Sequence, residues 1–280
     1  MATIRTMRAS DIGFGLELCR KAGWNQVDAD WYRLLRLAPE GVFVAEEAGE
    51  PCGTASTTPY GQRTAWIGMV LVHPAFRRRG IGSALMQHCI RYLKGIGVQT
   101  IKLDATDQGR PVYLKLGFRD ERPIHRYAGD RPAGAQPHPS ARPLAPEDWP
   151  SLALRDEAAF GADRLDLLRL LAADGPAAAA GHVGEPRAYG FARRGYQASH
   201  LGPVVADDPE TALSVIQTLL AHLPEGPVFW DLFPENKEAR RIAESLGFTA
   251  TRQLTRMYLG DDPHPGVPTR VFAATGFELG

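Results

Sequence analysis

The chain has 280 residues, 44% hydrophobic and 23% charged, so it can bury a core and is long enough for two domains. Lysine and arginine together number 32, as do aspartate and glutamate, and this zero net charge argues against a non-specific nucleic-acid-binding protein. Three scattered cysteines without metal or redox spacing, together with no long apolar run and no signal peptide, predict a cytoplasmic protein without a metal site or membrane contact.

The first part of the chain alternates predicted strands and helices. Residues 3–7 predict a strand, and residues 10–11 supply an N-cap for the helix that follows. Residues 41–46 and 50–57 predict a hairpin that turns at Gly49. A second helical region lies between this first helix and the hairpin. It contains several aromatic and acidic side chains: Trp24, Asp28, Asp30, Trp31 and Tyr32.

An arginine- and glycine-rich loop follows, between a predicted buried strand at 66–72 and a predicted helix at 81–94. Gly80 and Gly82 allow a sharp turn, so the N–H groups of residues 78–83 can converge at the positive end of the helix. This arrangement predicts a binding site for phosphate. The loop lacks the Gly-Lys-Ser/Thr of a P-loop and the Gly-x-Gly-x-x-Gly of a dinucleotide site.

The second part of the chain repeats features of the first. Arg142 and Asp148 have the same six-residue separation as Arg5 and Asp11, and Leu246-Gly-Phe248 matches Leu116-Gly-Phe118. A strand at 100–104 and a short helix at 109–116 precede a stretch rich in proline and glycine. We therefore predict a tandem repeat with domains at 1–127 and 141–280, joined by a linker at 128–140.

Two motifs of the first half resemble those of the GNAT superfamily of acyl-CoA-dependent N-acyltransferases. Arg77-Arg-Arg-Gly-Ile-Gly82 fits the pattern Arg/Gln-x-x-Gly-x-Gly/Ala, and Tyr113-Leu-Lys-Leu-Gly-Phe118 fits Tyr-x-Lys/Arg-x-Gly-Phe. The resemblance implies an α/β (α+β) fold of two tandem GNAT-like domains, each a mixed, mainly antiparallel central sheet flanked by helices. The structural alternative is a glycine-rich turn in another kind of α/β protein.

The resemblance also implies a site for acetyl-CoA as co-substrate. Backbone groups at the end of the strand would pair with the pantetheine arm, and the loop would hold the diphosphate. Tyr113 would protonate the departing thiolate, although it could instead be a packing residue. The implied acetyl-CoA-binding residues are Val70, Leu71, Val72, Arg77, Arg78, Arg79, Gly80, Ile81, Gly82, Ser83 and Tyr113.

The general base is not identified by the motifs. Many relatives place a carboxylate on the core strand, but residues 66–72 contain none. Asp104, at the end of the next strand, is the first candidate, and the others are Asp28, Asp30 and His73. Candidate acceptor-binding residues are Trp24, Asp28, Trp31 and Asp231, of which Asp231 lies at the corresponding strand of the second half.

The second half departs from the family pattern where phosphate binding would need it. The strand at 200–206 is followed by Asp207-Asp-Pro-Glu-Thr-Ala212, which has no arginine or Gly-x-Gly and loses one N–H donor to proline. Ala243 stands at the position equivalent to Tyr113. The second half is therefore predicted to be a degenerate GNAT fold that binds no acetyl-CoA.

Three functional interpretations remain open from the sequence. The first is an acyl-CoA-dependent N-acetyltransferase that acts on a primary amine of a small molecule or peptide, by direct attack in a ternary complex. The second is a non-catalytic acyl-CoA-binding or sensing protein. In the third, the second half serves only stability or dimerisation, so a homodimer is a candidate assembly; neither nucleic acid nor membrane is expected as a partner.

Overall fold

The computed structural model describes residues 2–262 and 264–280, which form two compact units. The N-terminal unit contains the described residues up to Glu121, together with Arg256–Asp262 and Glu278–Gly280. The C-terminal unit contains Arg122–Thr255 and the described residues from 264 to Phe277. Each unit is a mainly antiparallel sheet with flanking helices, which confirms the predicted fold class.

Up to residue 116, the helices and strands follow the predicted order. In the first half they are β1 (Thr3–Thr6), α1 (Ile12–Lys21), α2 (Asp28–Leu37), β2 (Val42–Glu47), β3 (Glu50–Tyr60), β4 (Thr64–Val72), α3 (Ile81–Gly95), β5 (Thr100–Ala105), α4 (Arg110–Lys115) and β6 (Arg119–Asp130). In the second half they are β7 (Ala141–Pro143), α5 (Trp149–Phe160), α6 (Leu165–Asp174), β8 (Ala177–His182), β9 (Glu185–Arg193), β10 (Ser199–Ala206), α7 (Pro209–His222), β11 (Pro227–Leu232), α8 (Lys237–Ser245), β12 (Thr249–Gly260) and β13 (Val271–Ala273).

The sheet of the N-terminal unit has the strand order β1-β2-β3-β4-β5, followed by the last residues of β12. Its first four strands are antiparallel, and β4 and β5 are parallel. One face of this sheet is apolar, because alternate residues such as Ala65 and Ile67 point to the same side. Helix α3 covers that face with Leu85, Cys89 and Leu93, whose spacing places them on one side of the helix.

The sheet of the C-terminal unit has the order β6-β11-β10-β9-β8-β7, with β12 beside β6. The pairing of β10 with β11 is parallel, whereas β10 with β9, β11 with β6, β7 with β8 and β8 with β9 are antiparallel. Helix α7 packs on the sheet through apolar side chains, among them Ala212, Val215, Ile216 and Leu219. This unit therefore has its own hydrophobic core.

The units differ from the predicted domains because the last strand of each repeat is exchanged. Strand β6 ends the first repeat but pairs with β11 in the C-terminal unit, whereas the end of β12 belongs to the N-terminal unit. Of the predicted linker 128–140, residues 128–130 are part of β6. Strand exchange depends on pairing between residues far apart in the chain, and local composition does not report such pairing.

The predicted repeat of arginine and aspartate is present as the same ion pair in both units. Arg5 donates two hydrogen bonds to Asp11, at 2.7 and 2.9 Å, and Arg142 donates two to Asp148, at 2.6 and 2.8 Å. Each aspartate also accepts the backbone N–H three residues before it. The Arg5 guanidinium lowers the pKa of Asp11. Each pair fixes the start of its repeat's first helix.

A second pair of equivalent ion pairs ties in the exchanged strands. In the N-terminal unit, Arg256 donates to both carboxylate oxygens of Asp104 at 2.9 Å and lies 4.4 Å from the ring centre of Trp66. In the C-terminal unit, Arg126 donates to both oxygens of Asp231 at 2.7 Å. Both carboxylates are fully buried. Each ion pair therefore joins a buried strand to the strand exchanged into its sheet.

We expect Arg256→Met to destabilise the protein strongly. Removal of one partner leaves the buried Asp104 carboxylate uncompensated, which typically costs about 3–5 kcal/mol of unfolding free energy. The matched control is Arg241→Met, which removes an exposed pair with Glu238 and should cost less than about 1 kcal/mol. Urea unfolding measures both variants. Equal losses in the two variants would contradict a structural role for the buried pair.

Candidate active site

A groove of about 300 Å³ lies in the N-terminal unit, where the end of β4, the start of α3 and the helix α4 meet. It contains residues of both sequence motifs, although these are separated along the chain. The lining residues are Val70, Val72, Phe76, Arg77, Arg78, Gly80, Ile81, Gly82, Ser83, Met86, Gly109, Val112 and Tyr113.

The groove begins where β4 leaves its parallel neighbour. The register between β4 and β5 runs from Thr64 to Trp66 and stops there. Beyond it, Met69 has a left-handed backbone with φ of 53°, and the register of β4 against β3 shifts at this place. This bulge turns the strand, so that Val70 and Val72 face the groove.

Backbone N–H groups gather at the start of α3. Gly80 is the N-cap residue with φ of 78°, a left-handed conformation that suits glycine. The first bond of the helix runs from the N–H of Ala84 to the carbonyl of Gly80, at 3.0 Å. In the part of the chain that the structure describes, the N–H groups of residues 78–83 donate to no protein acceptor. They therefore form a site that favours an anion.

The groove has room for a phosphate group beside these amides. A Cβ added to Gly82 would have one neighbour within 4 Å, Cγ2 of Val72 at 3.7 Å, and a Cβ at Gly80 would have none among the described atoms. The backbone is thus open to close approach at both glycines. The residues at the helix start consequently fit the diphosphate of an acyl-CoA in charge, donors and space.

The three arginines of the loop have different surroundings. Arg77 and Arg78 line the groove, and Nε of Arg77 donates to the carbonyl of Val72 at 3.2 Å. Arg79 instead donates to Glu47 at 2.7 Å. Neither Arg79 nor Leu71 lines the groove, since Arg79 pairs with Glu47 and Leu71 lies opposite Thr54 of β3, and their roles in acetyl-CoA binding stay predictions.

Tyr113 lies on α4 and faces the same groove. Its ring lies 6.1 Å from that of Phe118, and Gly109 leaves room for it, because a Cβ at Gly109 would lie 2.9 Å from Cε2 of Tyr113. Burial raises the pKa of the Tyr113 phenol, so the hydroxyl keeps its proton at neutral pH. No described residue hydrogen-bonds to that hydroxyl. It is placed to donate to a group bound in the groove.

The candidate bases proposed from sequence have structural contacts. The two oxygens of Asp104 accept hydrogen bonds from Arg256, so its prediction as a catalytic base is corrected: this carboxylate holds an ion pair. Asp30 accepts from Arg33 at 2.7 Å inside the unit. His73 caps a short turn, its Nδ1 accepting the N–H of Ala75 at 3.3 Å.

The candidate acceptor residues do not come together. Trp31 is fully buried beside Gly15, and Asp231 is buried in the ion pair with Arg126, so both predictions are corrected to core roles. Trp24 is half-buried, and Asp28 is exposed at the first turn of α2. A role for these last two in acceptor binding stays a prediction.

In the C-terminal unit, the equivalent helix start is closed by its own side chains. Asp208 is the N-cap of α7, and its carboxylate accepts the N–H of Thr211 at 2.9 Å. Asp207 pairs with Arg155 at 2.5 Å and with Arg270 at 3.2 Å. Carboxylates therefore occupy the position where the N-terminal unit presents bare amides.

The cleft between the parallel strands is also filled in the C-terminal unit. Strand β10 pairs with β11 at residues 199–201, and β13 pairs with β10 further along, Val204 opposite Ala273. The N–H of Ala274 donates to the carbonyl of Asp231 at 2.7 Å, so this segment also bonds to β11. A strand of the chain itself thus occupies the place that the pantetheine arm would need.

Four lining residues were not predicted from sequence: Phe76, Met86, Gly109 and Val112. Gly109 lies four positions before Tyr113, so its helical spacing could have identified it, whereas the spacing of Val112, which directly precedes Tyr113, gave no such signal. Within residues 2–262 and 264–280, no cluster of three or more histidine, cysteine, aspartate or glutamate residues could hold a metal ion. No helix of these ranges is long and apolar enough to span a membrane.

Comparison with known protein families gives two matches along the chain. Residues 15–118 match the model described as "Acetyltransferase (GNAT) family", and residues 153–273 match that of an "Acetyltransferase (GNAT) domain". The chain is also 27% identical over 239 residues to the uncharacterized N-acetyltransferase YitH of Bacillus subtilis, a match that covers 83% of each protein.

Solved structures share the fold. A putative acetyltransferase from Pyrococcus horikoshii has a TM-score of 0.85 at 24% identity, covering 100% of this chain and 96% of that protein. A tandem GNAT protein from the clavulanic acid biosynthesis pathway has a TM-score of 0.65 at 17% identity, covering 92% of this chain and 98% of that one. These likenesses show the two-domain fold.

Proposed function

Since the chain belongs to the GNAT family of acetyltransferases, with two of its domains in tandem, we propose that it transfers the acetyl group of acetyl-CoA to a primary amine of a small molecule or peptide. One observation carries this proposal. The free amides at the start of α3 and the protonated Tyr113 line a single groove.

Acetyl-CoA bound in this groove would supply an acetyl thioester. The amides of residues 78–83 would hold its diphosphate, with positive charge from Arg77 and Arg78. Val70 and Val72, at the turned end of β4, would align the arm that carries the thioester. Tyr113 would donate a proton to the sulfur as the thiolate leaves, and its raised pKa keeps the hydroxyl protonated at neutral pH.

The acceptor must reach the thioester as a neutral amine. A lysine-like amine has a pKa of about 10.4, so at pH 7 only about one molecule in a few thousand is neutral. A proton acceptor at the site is therefore part of the proposal, with direct attack of the amine in a ternary complex. The alternative function, an acyl-CoA-binding protein without turnover, is favoured by the lack of a carboxylate on β4.

We also propose that the protein is located in the cytoplasm. All three cysteines are buried free thiols, as expected for a protein in a reducing environment.

The proposal is tested by incubating the protein with acetyl-CoA and a panel of amines: amino acids, polyamines, aminoglycosides and peptides with free N-termini. Release of the CoA thiol is followed with a thiol reagent. We expect amine-dependent release above the rate of hydrolysis. Tight binding of acetyl-CoA without release for any amine would favour the non-catalytic alternative, and no binding would contradict both functions.

A further inference from the structure

One face of the sheet of the C-terminal unit carries an ion pair beside two aromatic rings. Phe229 and Asp231 on β11 point away from the core that α7 covers, because Trp230 between them belongs to that core. The guanidinium of Arg126, which binds the Asp231 carboxylate, lies 4.7 Å from the ring centre of Phe229 and 4.3 Å from that of Phe277. Both rings are half-buried, so they hold this guanidinium in place.

A second guanidinium lies against the same ring. Arg252 on β12 is 5.9 Å from the ring centre of Phe277, and the hydroxyl of Thr251 donates to the carbonyl of Arg126 on β6 at 3.3 Å. Both oxygens of Asp231 accept from Arg126. Within the part of the chain that the structure describes, no carboxylate forms an ion pair with Arg252. Two arginines and one aspartate therefore leave one positive charge unbalanced.

The surroundings of Arg252 oppose its charge, although its side chain can be reached from solvent. Burial, followed by repulsion from Arg126, lowers the pKa of the Arg252 guanidinium, and attraction to Asp231 offsets this only in part. An anion beside Arg252 would balance the repulsion. Because a guanidinium presents its N–H groups as a planar fork, a carboxylate can accept two hydrogen bonds from it.

The equivalent arginine of the first repeat shows which anion fits. Arg122 on β6 corresponds to Arg252 on β12, since each stands four residues before the arginine that binds a buried aspartate. The guanidinium of Arg122 is also 5.9 Å from the centre of a phenylalanine ring, that of Phe233. Here the chain supplies the anion itself, because Glu235 accepts from Arg122 at 3.1 Å. At Arg252 the same arginine and ring are present, and no described residue supplies the carboxylate.

We propose that the C-terminal unit binds a small organic carboxylate at Arg252, with the apolar body of the ligand against the Phe277 ring. The ligand would take the place that Glu235 takes beside Arg122. The single unbalanced charge suits a ligand with one carboxylate. The inference goes beyond the proposed acetyl transfer, and none of the residues that carry it lines the acetyl-CoA groove.

The test is an NMR titration of the full-length protein without acetyl-CoA, followed at the ring signal of Phe277 in protein with isotope-labelled phenylalanine. The probes are benzoate and benzamide, which have similar shapes and differ in charge. We expect benzoate to shift the signal saturably and benzamide to leave it in place. Arg252→Gln should weaken benzoate binding by about tenfold or more, because the hydrogen bonds to the charged group are lost.

Arg241→Gln is the matched control. It changes another exposed arginine of the C-terminal unit, which pairs with Glu238, and should keep the wild-type affinity for benzoate. No saturable shift with benzoate, an equal shift with benzamide, or wild-type affinity in Arg252→Gln would overturn the site. Tighter binding of inorganic phosphate than of benzoate would overturn the choice of a carboxylate. Since no acetyl-CoA is present, these outcomes are distinct from a failure of the proposed function.

Discussion

Tyr113→Phe is expected to lower kcat by about 10²–10⁴-fold while the KM for acetyl-CoA changes little. The substitution keeps the ring that packs beside Gly109 and Phe118, so the groove retains its shape. It removes only the hydroxyl, whose proton the departing thiolate would otherwise take. A loss of this size corresponds to about 3–5 kcal/mol of transition-state free energy.

The matched control is Tyr92→Phe on α3, another half-buried tyrosine of the same unit that does not line the groove. It should keep wild-type turnover. Single-turnover kinetics, in which the chemical step is observed, should be compared for both variants. If Tyr113→Phe reacts as fast as the wild type under these conditions, Tyr113 is only a packing residue of α4.

Gly82→Asp is expected to abolish measurable acetyl-CoA binding. The new side chain would project into open space beside the amides and would place a negative charge next to the bound diphosphate. Because the position has no positive φ and no close neighbour, the variant should fold. Calorimetric titration measures the affinity. Because micromolar binding corresponds to a binding free energy of only about 8 kcal/mol, this repulsion should remove measurable binding.

Gly13→Asp provides the control for this substitution. Gly13 is the second residue of α1, as Gly82 is of α3, and a Cβ there also meets nothing within 4 Å. The control therefore adds the same side chain at the same helical position, outside the groove. Unchanged affinity in a folded Gly82→Asp protein would locate the cofactor site elsewhere.

Local features of the site could be predicted from the sequence because they depend on neighbouring residues. The turn at Gly80, the helix from Ile81 and the end of α4 at Gly117 follow from glycine conformation and helical spacing. The equal spacing of Arg5 and Asp11 and of Arg142 and Asp148 also indicated the repeat, and the structure has the same ion pair at both places. The motif supplied Tyr113, which the fold brings to the same groove.

Contacts between distant residues could not be predicted in this way. Asp104 was predicted as a catalytic carboxylate because its ion-pair partner could not be recognised in the sequence. That partner, Arg256, comes from a strand exchanged between the repeats. Likewise, β13 is a short apolar segment whose pairing with β10 follows from tertiary structure.

The degenerate character of the second half was predicted from its loop, and the structure adds a second reason. The sequence showed carboxylates at the start of α7, and Asp208 indeed satisfies a helix N–H that a phosphate would use. Strand β13 also fills the cleft beside β10, where an acyl-CoA arm would have to displace backbone hydrogen bonds. We therefore expect no acetyl-CoA site in the C-terminal unit.

The central claim is that one groove, in the N-terminal unit, binds acetyl-CoA and carries out the transfer. Equilibrium titration of the full-length wild-type chain with acetyl-CoA, beside Gly82→Asp, tests it most directly. We predict saturation at about one equivalent per chain in the wild type and no binding in the variant. Two equivalents in the wild type, or one retained in Gly82→Asp, would contradict it.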